Sequence, residues 1–146
     1  MNSWVFQANP NFYRVDAALE ALSDHTWLTN QHFKHIILGD EVFIWRCGKN
    51  AALVGVGTVL SNPALLVGPP DERKFEAEPL KFDGKRLRVK VRISKISPPV
   101  PREVLLKEPE LSPVAVFKGC TGTNFALTAD AAAALHRVID SRRLPG

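Results

Sequence analysis

Glu41-Val-Phe-Ile-Trp-Arg-Cys47, Gly48-Lys-Asn50 and Ala51-Ala-Leu-Val-Gly-Val-Gly-Thr-Val-Leu60 read together as one β-hairpin. The first run is aromatic and β-branched, which suits a pleated, half-buried surface. Gly39-Asp40 turns the chain into it, and Gly48-Lys49-Asn50 turns it back. In the return strand Gly55 and Gly57 stand among Val54, Val56 and Val59, so that strand can bend or admit a close neighbour. A sheet that bends at its central hairpin can curl towards a barrel.

Before the hairpin, Trp4 to Ala8 reads as a short strand, closed by Asn9-Pro10-Asn11 because Pro10 drives Asn9 out of helical geometry. Asp16 to Leu22 carries Ala18, Leu19 and Leu22 at helical spacing, with Ser23-Asp24-His25 as a polar exit. After the hairpin, residues 61–81 hold Pro63, Pro69, Pro70 and Pro79 among charges and read as a long surface connection. Arg86 to Ile96 alternates strictly, with Leu87, Val89, Val91 and Ile93 on one face and Arg86, Arg88, Lys90 and Arg92 on the other. That pattern predicts a half-buried strand with a basic outer face.

Pro98-Pro99-Val100-Pro101 is then a stiff connection, Arg102 to Lys107 a helical turn, and Val114 to Phe117 a short strand. Gly119 to Gly122 is a turn. Thr128 caps a helix from Ala129 to about Ser141, with Asp130 at its positive end and Leu135, Val138 and Ile139 as the buried stripe. The whole predicts an α+β chain, a small, partly closed β-barrel flanked by helices, as a single domain over residues 1–146.

The length suits one core. No apolar run approaches the roughly 20 residues that span a bilayer, and Met1 to Phe6 lacks a signal-peptide layout. A cytoplasmic monomer without a membrane partner is expected. The formal net charge of +4 favours a polyanionic partner. Cys47 and Cys120 lack the spacing of a zinc site or redox dithiol, and read as buried thiols. His32 and His35 could share one helical turn, but neither they nor His25 and His136 form a metal motif. No metal, cofactor or catalytic set is therefore expected. A hydrolase pairing Cys47 or Cys120 with a histidine is the enzymatic alternative.

Two features point to binding. The row Arg86, Arg88, Lys90, Arg92 could neutralise successive phosphates of a nucleic-acid backbone, or it could be a solvated sheet face protected by charge. Trp4, Trp27 and Trp45 all precede residue 46. Trp45, inside an apolar strand, reads as core, whereas Trp4 either packs beneath a pocket or helps line it. Trp27 sits in Thr26-Trp-Leu-Thr-Asn-Gln-His32, where a flat apolar ring lies beside amide and hydroxyl groups, as a base pocket requires.

Taken in order, Trp4-Val-Phe-Gln-Ala-Asn9, Thr26-Trp27 with Asn30-Gln31-His32, Gly39-Asp-Glu-Val-Phe-Ile-Trp45, Gly55-Val-Gly-Thr-Val59 and Gly122-Thr-Asn-Phe125 resemble an EVE domain. This is a PUA-like family related to the YTH readers of methylated adenine. The resemblance implies a helix-flanked barrel with a pocket for a flipped, modified base, most directly modified cytosine in DNA, with RNA as the other polymer. It also implies the company of modification-dependent restriction systems in bacteria. By position, Asn9 matches the polar residue after the first strand of YTH readers and Trp27 a tryptophan of their aromatic cage. Leu28 and Asn30 would lie beside it, with Asn124 contributed by the last motif. YTH readers complete the cage with a second tryptophan, where this chain offers Phe75 or Phe82. Leu28 replaces a small polar residue, so a preference for methylated adenine does not carry over. The alternative of another class is a module of the same fold that binds a protein segment or small ligand and no nucleic acid.

Overall fold

The computed structural model describes residues 1–142; the last four residues of the domain expected over 1–146 lie outside the described residues. Among the described residues, seven strands form one mixed sheet. They are β1 (Ser3–Ala8), β2 (Asp24–Leu28), β3 (Glu41–Arg46), β4 (Ala52–Val59), β5 (Ala64–Leu66), β6 (Arg86–Pro101) and β7 (Asn124–Leu127). The spatial order is β2-β6-β4-β3-β1-β7, with β5 added alongside β6. Only β1 and β3 pair in parallel; the other pairs are antiparallel. The helices are α1 (Val15–Ala21), α2 (Pro70–Arg73), α3 (Arg102–Leu105), α4 (Ala115–Lys118) and α5 (Ala129–Ser141). The sheet curls into a half-barrel flanked by these helices, as the α+β reading expects.

The curl comes from β4 and β6. Register shifts interrupt their pairing between Leu53 and Gly55 and again between Val56 and Gly57. At the second, a β-carbon on Gly57 would lie 2.5 Å from the Arg92 carbonyl oxygen, so only glycine admits this approach. At the first, Gly55 pairs with Ile96 but Leu53 already pairs with Val100, so Ser97 to Pro99 bulge outward. The prolines expected to form a connection therefore belong to the strand. β2 accompanies β6 only from Arg88 to Arg92, so no neighbour on that side needs the proline N–H groups.

The two faces of the sheet bury separate apolar clusters. One holds Val5, Phe43, Trp45 and Leu53 under Leu135, Val138 and Ile139 of α5. Thr128 caps α5 through its hydroxyl, which accepts from the Ala131 N–H at 3.1 Å. The other, inside the curl, holds Trp4, Phe6, Leu19, Trp27, Ile44 and Val89.

Three further expectations are corrected. Val114 to Phe117 supplies helix α4 rather than a strand, its Phe117 ring meeting Trp45 edge-on at 5.0 Å. So short an apolar run has no period that separates the two states. Asp24 and His25 open β2 instead of trailing α1. Residues 61–81 are not a bare connection, since they contain β5, α2 and a short 3₁₀ turn over Pro79–Lys81. This segment folds back onto the connection between β1 and α1 through backbone bonds from Arg14 N–H to the Phe75 carbonyl and from Ala77 N–H to the Phe12 carbonyl, both 2.8 Å.

Candidate functional site

The half-barrel fails to close between β2 and β7, and side-chain amides bridge the gap instead of a strand ladder. Asn124 donates from Nδ2 to the Leu28 carbonyl at 3.0 Å and accepts at Oδ1 from the Gln31 N–H at 3.2 Å. Gln31 Oε1 accepts from the N–H groups of Thr123 (2.7 Å) and Asn124 (3.1 Å). Asn30 Nδ2 donates to the Thr123 hydroxyl at 2.8 Å, and Gln7 Nε2 donates to the Gly122 carbonyl at 2.8 Å. Beside this seam lies a cavity of about 580 Å³. Its size suits a small-molecule or single-base ligand.

One wall is aromatic. Phe12, Tyr13 and Phe82 border the cavity, with the Tyr13 and Phe82 rings 5.8 Å apart. The Lys81 ammonium lies 4.1 Å from the Phe12 ring centre, which keeps a cation at the mouth. The edge of β2, from Thr26 to Leu28, borders the cavity as well.

The inner end is polar. Glu72 and Arg88 border the cavity although they are only 5% and 3% exposed. The Glu72 carboxylate accepts from the Thr26 N–H at 3.0 Å and from the Thr26 hydroxyl at 3.1 Å. Burial pushes its carboxyl up to about 7, a rise that Thr26 and the nearby Arg88 charge oppose. Arg88 donates to the Thr26 hydroxyl oxygen and to the Phe82 carbonyl, each at 3.1 Å. Burial raises the Tyr13 phenol above its usual range, with Glu72 and Glu76 adding to the rise, so the hydroxyl stays a hydrogen-bond donor.

Several expected site residues meet here. Asn9, Trp27, Leu28 and Asn30 all border the cavity. Trp27 is 7% exposed, and its ring also lies 6.1 Å from that of Phe6, centre to centre. Phe82, one of the two rings considered for the opposite wall, is there.

Others are placed elsewhere. Trp4 does not border the cavity; its Nε1 donates to Asp40 at 2.9 Å and its ring is buried in the curl. Phe75 does not border the cavity; it is buried, its ring edge-on to that of Tyr13 at 6.5 Å between centres. Asn124 is 1% exposed and clasps the seam.

The basic row is also split. Arg88 keeps the face that alternation gives it but is buried there rather than exposed, under the segment that carries Glu72 and Phe82. Arg86 borders the cavity and donates to the Lys81 carbonyl at 2.7 Å. Lys90 and Arg92 remain exposed, but Asp24 holds Arg92 through two contacts, at 2.9 and 3.1 Å.

Both cysteines border the cavity, yet among the described residues no histidine does. Burial pushes the Cys47 thiol up, the opposite of an activated nucleophile. No group of three or more potential metal ligands occurs among the described residues. His32 adopts a left-handed backbone, φ 57°, beneath its contact with Trp4.

Phe12, Tyr13 and Glu72 carry no motif. Pro69-Pro70 ahead of Asp71-Glu72 does mark the start of a short helix, since proline suits its first position. Nothing local shows which way that helix turns Glu72.

The model of the EVE domain family matches residues 2–137. Among curated proteins, no sequence matches the chain. Solved structures do. A hypothetical protein from Leishmania major is 15% identical, with a TM-score of 0.71 over 97% of this chain and 96% of that one. Human THYN1, solved in complex with 5-methylcytosine-containing DNA, is 13% identical, with a TM-score of 0.67 over 99% and 100%. The YTH domain of Zygosaccharomyces rouxii MRB1, solved with N6-methyladenosine RNA, is 12% identical, with a TM-score of 0.57 over 94% and 86%. At these identities the likeness is one of fold.

Proposed function

Because this chain belongs to the EVE-domain family, we propose that it is a nucleic-acid reader that accepts one extruded, modified base in the cavity at the barrel seam. The preferred base is a modified cytosine in DNA, and the protein acts as a cytoplasmic monomer. The observation that carries this reading is the pairing of an aromatic wall, Phe12, Tyr13 and Phe82, with polar groups at the inner end of the same cavity. A flat ring system with a hydrogen-bonding edge fits that division.

The fold supports the reading, since two structures that share it hold nucleic acid with a methylated base. Energetics are compatible. Extruding a base costs a few kcal/mol, and stacking on an aromatic side chain returns roughly 1–3 kcal/mol per base. Lys81 and Arg86 beside the mouth, and Lys90 along β6, supply cations for the flanking phosphates.

Trp27→Ala would remove a core ring as well as a pocket edge, so Phe82→Ala, at a half-buried position, is the cleaner probe. Fluorescence anisotropy should show the wild type binding a duplex with one 5-methylcytosine more tightly than its unmodified counterpart. Phe82→Ala should weaken the modified complex about tenfold. Equal affinity of both proteins for both duplexes would contradict the proposal.

A further inference from the structure

Stacking on Phe12 and Phe82 leaves the inner end of the cavity unused, and its polar groups are not fully partnered. Thr26 offers the Glu72 carboxylate one N–H and one O–H, whereas a carboxylate has about four acceptor positions. Arg88 uses Nη1 on Thr26 and Nη2 on Phe82, but its buried Nε–H has no acceptor. No carboxylate reaches ion-pair distance of Arg88 among the described residues. The Tyr13 hydroxyl is buried and unpartnered too, as is the Gln7 Oε1 atom across the cavity. Buried polar groups are almost always paired in a folded protein. Unpaired donors beside a carboxylate with spare acceptor capacity, at the end of a cavity that is aromatic elsewhere, mark a place for a ligand's own polar edge.

Resting on the reader proposal, we infer that Glu72 selects the base by its exocyclic amine, accepting a hydrogen bond from the amino group of a cytosine-type base. The Watson–Crick edge of such a base reads donor then acceptor, and a carboxylate is a natural partner for the cytosine amine. The Tyr13 hydroxyl is the donor for the neighbouring ring nitrogen, and Arg88 holds the Thr26–Glu72 pair in register from behind. A keto base in the same pose would set its carbonyl oxygen against the carboxylate, leaving two acceptors face to face. The class accepted is thus an amino base, and thymine and uracil are refused even when they carry the same 5-methyl group.

The ionisation of Glu72 gives the inference a second readout. Its carboxyl sits near 7, so it is an acceptor on both oxygens above that pH and carries a proton on one of them below it. The groups that face it are Tyr13 before α1, Thr26 on β2, Glu76 after α2, and Arg88 on β6 with Arg86 beside it. Burial raises the Glu76 carboxyl as well, so a pH effect is assigned to Glu72 only where Glu72→Gln removes it.

The test uses two duplexes that differ only in a central 5-methylcytosine or thymine, each opposite an abasic site so that extrusion is equally easy. At pH 8 the wild type should bind the 5-methylcytosine duplex at least tenfold more tightly, and the preference should shrink towards parity at pH 6. Glu72→Gln, with its fold checked by circular dichroism, should hold the preference below threefold at both pH values. A tenfold preference retained by Glu72→Gln, or a wild-type preference that is absent at pH 8 or unchanged between pH 6 and pH 8, overturns the inference. Should the variant not fold, the wild-type pH series is repeated in Glu76→Gln, where a surviving pH dependence supports the inference and its loss overturns it. Phe82→Ala separates the two levels. If it lowers affinity for both duplexes while Glu72→Gln keeps the preference, the cavity holds the base and Glu72 does not choose it. If Phe82→Ala changes neither affinity, or the wild type binds neither duplex, the reader proposal fails along with the inference.

Discussion

The two faces of the sheet are packed by different rules. Under α5, the face built on Phe43, Trp45 and Leu53 is sealed by apolar side chains with no measurable exposure. The apolar cluster inside the curl ends at Trp27, and next to it, around Thr26 and Arg88 on the alternate face of β2 and β6, the protein buries a carboxylate, a guanidinium and a phenol beside a cavity. The first arrangement maximises burial. The second gives up stability to hold polar groups where water is scarce and a ligand can pair with them. The difference fits the proposal that the seam side binds and the α5 side supports it.

That contrast can be broken most forcefully from the supporting side. Trp45→Ala removes a fully buried ring that meets Phe117 edge-on and should destabilise the fold by about 3–5 kcal/mol. Thermal unfolding should show this as a fall of roughly 10 °C. A change of only a degree or two would mean that this face is not the main source of stability.

The opposite sign is expected at the seam. Glu72 titrates near 7 in the folded protein against an ordinary value of 4.5, so between those values the native state binds a proton that the unfolded chain has released. Stability from this group is therefore full below about pH 4.5 and is lost as pH rises through 7. Glu72→Gln should stabilise the protein at pH 8 by on the order of 2–3 kcal/mol, and the gain should vanish below pH 4.5. A variant less stable than the wild type at pH 8 would show that the carboxylate is fully compensated by its neighbours.

Two smaller effects sharpen the picture. Gly57→Ala forces a methyl against the Arg92 carbonyl at the bulge that curls the sheet, and should cost about 1–3 kcal/mol with loss of binding in step. Chemical denaturation with the oligonucleotide titration checks both. Arg92→Ala breaks only a solvent-exposed pair with Asp24, and its melting temperature should match the wild type. Its affinity should change little as well, whereas Lys90→Ala, which frees no carboxylate, should weaken binding and flatten the salt dependence.

Much of the fold was legible because its determinants are local. The 41–60 hairpin announces itself by β-prone runs around Gly48-Lys49-Asn50, and α5 by Thr128 ahead of an apolar stripe. Trp27, Asn9, Leu28 and Asn30 were legible as neighbours through their place in family motifs. The polar end of the cavity was not, because it joins distant segments. Thr26 and Glu72 are 46 residues apart, and Thr26 and Arg88 are 62 apart. Alternation along β6 placed Arg88 correctly on the outer face, but no periodicity reports that α2 folds back to cover that face. Proline, which signals a break in most contexts, here sits in the bulged, one-sided end of β6 where its missing N–H costs nothing.

Entry of a base into the seam cavity is tested most directly by chemical-shift mapping. Isotope-labelled protein would be titrated with a duplex bearing one 5-methylcytosine. The largest shifts are expected at Asn9, Tyr13, Thr26, Phe82 and Arg88, with smaller ones at Lys90. Shifts confined to the exposed face of β6 or to α5, with the cavity residues unmoved, would contradict it.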